Sequence, residues 1–137
     1  MRYYKIYKYI LYIELLNDSL HNENRDDIYD KIYAKYTTNK FKIIMIENMI
    51  TNEILDKIYN YKINDIVEKN IIYFFSKERA FFELDYNFFE ETYYPIDKLY
   101  YIRFFQDHNM TYNGLHKAWN DSGVIKEIYY HNNGIIL

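Results

Sequence analysis

The chain has 137 residues, half of them apolar and 27% charged, a composition that excludes a disordered chain and suffices for one domain with a real core. A net charge of −3 without any block of like charge offers no basic face to nucleic acid, and the lack of cysteine excludes disulfides and thiolate metal sites. Nineteen tyrosines, with abundant Ile, Asn and Lys, point to an AT-rich coding genome more than to a dedicated stacking surface.

Residues 3–16 suit an amphipathic helix, with Tyr3, Ile6, Tyr7, Ile10 and Ile13 on one face and Lys5 and Lys8 away from it. Lys5, Lys8 and Glu14 interrupt the run, so it reads as neither a signal peptide nor a bilayer-spanning helix. An intracellular or virion-internal protein is expected. This helix should dock on the protein's own core; a membrane surface is the alternative. Asn17 to Arg25 reads as a loop. Asp26 to Tyr36 predicts a second helix, with Ile28, Tyr29, Ile32, Tyr33 and Tyr36 in one stripe and Asp26 and Asp27 at the positive end of the dipole. Thr37-Thr38-Asn39 ends it. Phe41 to Met49 fits a buried strand or the start of a helix. Thr51 or Asn52 reads as the N-cap of a third helix, which turns Ile54, Leu55, Ile58 and Tyr59 inward.

At Asn70 helical spacing stops and aromatic doublets begin: Phe74-Phe75, Phe81-Phe82, Phe88-Phe89, Tyr93-Tyr94, Tyr100-Tyr101, Phe104-Phe105 and Tyr129-Tyr130. Phe82-Glu83-Leu84-Asp85-Tyr86 alternates apolar and acidic residues, the period of a half-buried strand. Residues 1–70 are therefore expected to be helical and 71–137 to be β-hairpins. No Gly- or Pro-rich linker divides them, so they are expected to pack as one compact unit.

Thr111 to Gly134 holds all three glycines and the only tryptophan. It predicts a turn at Asn113-Gly114, a strand ending at Trp119, a turn at Asp121-Ser122-Gly123, a strand from Val124 to Tyr130 and a turn at Asn132-Asn133-Gly134. Starting units at Phe75, Tyr94 and Trp119 aligns Arg79, Lys98 and Gly123 at one position and Tyr86, Phe105 and Tyr130 at another.

The third unit resembles the MORN-repeat variant family, whose approximate pattern is G-x-x-x-x-W-x-x-x-G-x-x-x-x-x-x-Y-x-N-G. Gly114, Trp119, Gly123, Tyr130, Asn133 and Gly134 take those places, with one extra residue before the final Asn-Gly. The first two units look like eroded copies, with Arg79 and Lys98 where the turn glycine belongs. The resemblance covers roughly residues 73–134. It implies β-hairpins stacked into one twisted sheet, and an interaction or scaffold role. Such repeats are common in bacterial proteins and in giant DNA viruses of amoebae, which fits the AT-rich signature and makes a viral protein one expectation. Some family members are linked to membranes, and some bacterial ones are labelled antitoxins.

His21, His108, His116 and His131 form no HxH or HExxH pattern, and no metal or cofactor is expected. Glu90, Glu91 and Asp97 are better read as solvated charge than as acid–base pairs. The sequence thus predicts an α+β protein, with about three N-terminal helices packed on a C-terminal antiparallel sheet of MORN-like hairpins. The expected function is a non-enzymatic protein-interaction module that binds a partner protein or itself. Peripheral lipid binding and antitoxin-like inhibition of a partner protein are the alternatives. Period-two strands send neighbours to opposite faces, so Tyr100, Tyr101, Phe104, Phe105, Tyr129 and Tyr130 are the candidate interaction surface.

Overall fold

The computed structural model describes residues 1–49, 51–83, 105–106, 112–132 and 135–136, with side chains at 1–49, 51–83 and 117–128. It is mostly antiparallel β-sheet, and the N-terminal half is built from strands where helices were expected.

Strand β1 (Arg2–Ile6) and strand β2 (Tyr9–Leu15) form a hairpin through Tyr7 and Lys8, with Ile6 opposite Tyr9. Tyr7 takes a positive φ of 57°, which turns the chain where the predicted helix would have continued. The helical stripe misled because this run is apolar on both sides. Its Tyr and Ile residues favour a pleated surface once each face has a neighbour.

Strand β3 (Tyr36–Asn48) is the long central strand. It pairs with β2 along Phe41 to Asn48 and with strand β7 (Ile66–Tyr73) along Tyr36 to Lys42. The ambiguous Phe41 to Met49 run is thus strand through Asn48, and Thr37-Thr38-Asn39 lies inside it. A short strand, β4 (Ile54–Leu55), pairs with its far end, and strands β5 (Lys57–Ile58) and β6 (Tyr61–Lys62) make a small hairpin. The third predicted helix is absent because Asn52, Tyr59 and Asn64 all adopt positive φ, which an α-helix does not accept. Thr51 does accept an N–H as an N-cap would, from Glu53, but in a local turn.

The first sheet closes on itself. Phe74, just past β7, exchanges both backbone hydrogen bonds with Tyr3 of β1, at 2.8 and 3.0 Å. The result is a small barrel of β1, β2, β3 and β7. Its interior holds Leu11, Ile13, Tyr36, Phe41, Ile43, Ile46, Ile71 and Tyr73, all nearly or fully buried. Each such aliphatic or Phe side chain contributes about 1.5–3 kcal/mol by leaving water. The doublet Phe74-Phe75 splits across the wall: Phe75 packs on the interior cluster and Phe74 on a second, outer one.

Helix α1 (Lys77–Phe81) follows, capped by Ser76, whose hydroxyl accepts from the Arg79 amide at 3.1 Å. It lays Ala80, Phe81 and the C-cap residue Phe82 on the barrel's outer face beside Ile10, Met49 and Phe74. Both members of Phe81-Phe82 therefore lie in one cluster, and the strand expected from Phe82 does not begin there.

The remaining strands form a separate sheet in the order β11 (Ile135–Ile136), β10 (Ile125–Asn132), β9 (Tyr112–Trp119), β8 (Phe105–Gln106). The hairpin of β9 and β10 turns at Asp121-Ser122-Gly123 as expected. Asn113 and Gly114, expected to turn, are extended instead, because Phe105 pairs with Asn113 and His131 with Gly114 on either side of β9.

Candidate functional site

The segment expected to be the second helix, Asp26 to Tyr36, is a run of turns that leads into β3. A helix would send its amides to carbonyls four residues back, and only Ala34 does so, to Asp30. The Tyr29 and Asp30 amides both donate to the Ser122 carbonyl at 2.9 Å, and the Lys35 amide donates to the Asp121 carbonyl at 3.0 Å. The Arg25 guanidinium adds a bond to the Asp121 carbonyl at 2.7 Å. Two successive carbonyls of one turn thus receive four donors from a loop far away in sequence. Adjacent amides aimed at a single oxygen make a small concavity suited to a partial negative charge.

The incoming turn is shaped by its own residues. The Asn120 side-chain oxygen accepts from the Ser122 amide, the Ser122 hydroxyl and the Val124 amide, at 3.1, 2.8 and 2.9 Å. Gly123 has φ +96°, and a Cβ there would overlap the Asp30 carbonyl oxygen and stand 2.9 Å from the Ala34 nitrogen. Glycine is required twice, by conformation and by contact.

Behind the turn, Trp119 stacks on Tyr33 with ring centroids 5.2 Å apart and planes 10° apart. Arg79 of α1 is 3% exposed, and its guanidinium lies 4.4 Å from the Phe74 ring centroid and 5.4 Å from that of Trp119. Arg79 also donates to the Tyr33 carbonyl at 3.1 Å and to Glu83 at 2.8 Å. Burial pushes the Glu83 carboxyl up, but Arg79 and Lys35 outweigh it and hold it below the usual carboxylate range. Lys117 of β9 reaches Glu78 at 3.4 Å and lies over the Phe82 ring.

Two further clusters bind tyrosine, glutamate and a cation. Glu23 accepts from both arms of Arg2, at 2.8 and 3.0 Å, and from the Tyr73 hydroxyl. Burial and then Glu23 drive the Tyr73 hydroxyl far above its ordinary range. Burial raises the Glu23 carboxyl, while Arg2 and Tyr73 lower it further, leaving it net depressed. On the outer face, Glu47 accepts from Tyr12 at 3.0 Å and pairs with Lys77. Burial depresses the Lys77 ammonium, but Glu47 and Tyr12 more than reverse it, so the group ends well above its ordinary range. Both carboxylates are acceptors that tie separate elements together.

Residues 25–35 and α1 form the groove that receives the hairpin: of the repeat positions, Trp119 meets Tyr33 and Arg79 there and Gly123 meets Asp30 and Ala34, whereas Phe75 lies on the interior cluster. Arg79 sits on α1, so residues 77–81 of the first unit are helix where the third unit has its turn. Phe105 and Tyr130 are strand residues, opposite Asn113 and Leu115, and Tyr129 lies opposite His116. Gly114 lies in β9. Tyr86, Tyr94, Tyr100, Tyr101, Phe104 and Gly134 lie outside the described residues. Sequence reasoning missed Arg25, Tyr29, Asp30 and Lys35, which contribute through their backbones or by long-range contact. Ser76 three residues before Arg79, with Glu78 between, was the one local sign of α1.

Among the described residues no helix is long and apolar enough to cross a membrane, and no group of three His, Cys, Asp or Glu is placed to hold a metal ion. The amphipathic helix that suggested membrane binding is a β-hairpin. No family model, curated protein or solved structure matches the chain.

Proposed function

We propose that this chain is a non-enzymatic protein-interaction module, acting inside a cell or a virion. One observation carries this reading. Large apolar side chains are exposed on both segments that meet at the hairpin junction: Tyr29 (79%) and Ile32 (50%) on the loop, Ile125 (44%) and Ile128 (60%) on β10. The register puts Ile125 opposite Trp119 and Ile128 opposite Lys117. Cross-strand partners share a face, so both isoleucines lie beside the residues that dock. Large apolar side chains left exposed on two segments that meet commonly mark a binding site.

The test replaces Tyr29, Ile32, Ile125 and Ile128 together with Ser. Circular dichroism should stay native, while self-association in sedimentation velocity, or retention of a partner in a quantitative pulldown, falls. Unchanged association refutes the reading. Flotation of the wild type with anionic liposomes, lost in the variant, would replace it with a membrane-binding one.

A further inference from the structure

We propose that the loop and groove formed by residues 25–35 and α1 are a receptor for the Trp119 hairpin, and that a second copy of this chain supplies that hairpin in trans. The proposal rests on the interaction-module reading and names its partner.

The groove shows what it accepts, because it holds that ligand in cis. It takes a tryptophan ring against Tyr33 and Arg79, and two turn carbonyls on the amides of Tyr29, Asp30 and Lys35. It also demands a residue without a side chain at the closest approach. A hairpin from another copy meets each requirement with the same bonds. Exchange then costs no contact, and concentration decides between the two forms.

The hairpin is also the element most readily released. Its sheet shares no strand pairing with the barrel among the described residues. Among the described residues the contact is made by the turn with the amides and Arg25 of the loop, by the Trp119 side chain, by Lys117 against Glu78 and Phe82, and by the ion pair from Lys35 to Asp121. Removing a barrel strand would instead break a full ladder. The exposed Tyr29 and Ile32 lie on the loop, and Ile125 and Ile128 on β10, the two segments that meet in this contact.

The chain has no cysteine, so introduced thiols report without background. Lys35→Cys and Asp121→Cys are made in separate full-length chains, since these two side chains approach within 3.8 Å. The two proteins are co-incubated in mild urea, returned to buffer and treated with a short bis-maleimide. Exchange predicts a covalent heterodimer in the mixture and little dimer from either protein alone. Adding Gly123→Val to the Asp121→Cys chain should abolish it, and adding Trp119→Phe should reduce it. Absence of the heterodimer, or its persistence with Gly123→Val, overturns the proposal. If the wild type self-associates through the Ser-sensitive surface without cross-linking, exchange fails and the interaction reading survives. If neither occurs, both fail.

Discussion

The α-carbon of Gly123 lies against the backbone carbonyl of Asp30, so closely that a methyl group there would overlap the oxygen. This contact joins the turn of one sheet to the loop that feeds the central strand of the other. Gly123→Val combines a left-handed backbone with a buried overlap and should destabilise the protein by at least about 2 kcal/mol. Gly123→Ala should cost about 1–2 kcal/mol. Urea denaturation measures both; a loss below a few tenths for Val would mean the turn does not dock as described.

Trp119 is the chain's only tryptophan, so its fluorescence reports the hairpin junction alone. Arg79→Lys keeps the charge but loses the guanidinium's contact with the Phe74 and Trp119 rings and the paired donors to Tyr33 and Glu83. It should cost about 1–2 kcal/mol and lower the midpoint seen by fluorescence more than that seen by far-ultraviolet dichroism. Equal shifts by both probes would show that hairpin and barrel unfold as one.

The Asp121-Ser122-Gly123 turn was legible because its causes are local. Asn120 folds the turn with its own side chain, and Gly123 supplies the positive φ. The N-terminal half was not legible, because its decisive partners are distant. Tyr29, Asp30 and Lys35 lie in a segment that carries a helical stripe, yet their amides find acceptors some 90 residues away, on Ser122 and Asp121. Likewise Tyr3 to Ile13 satisfies a helical and a strand period equally. The choice falls to strands because Phe74 closes the barrel on one edge of β1 while β2 pairs on the other. The groove combines both cases: Trp119 and Gly123 stood out in the sequence, whereas Arg79 looked like a defect in a repeat and proves to be the cation under the tryptophan.

Acid should weaken the fold through Glu23 and Glu83. Both carboxyls are depressed in the folded chain, so their contribution is present above the unfolded carboxyl value of about 4.3 and is lost as pH falls through the folded values. Stability measured in urea should be level from about pH 5 to 7 and decline below it. Glu23→Gln should make that decline shallower, and an unchanged slope would show that Glu23 does not carry it.

Alkali should act through Tyr73 with the opposite sign. Its hydroxyl is raised in the folded chain, so its contribution is complete below the unfolded tyrosine value of about 10 and is lost as pH rises from there towards the folded value. Tyr12, Tyr33, Tyr36 and Lys77 are raised as well and act in the same direction. Tyr73 differs in being fully buried and bonded to a carboxylate, so it remains protonated through the range where the unfolded chain ionises. Tyr73→Phe should cost about 1–2 kcal/mol at neutral pH, from the lost bond to Glu23. Well above pH 10 it should remove about 1.4 kcal/mol per pH unit from the alkaline slope, one proton's worth. Urea titrations of both proteins between about pH 8 and 11.5 make the comparison. Parallel slopes would mean that Tyr73 ionises alike in the folded and unfolded chains, and that its bond to Glu23 does not hold the proton in place.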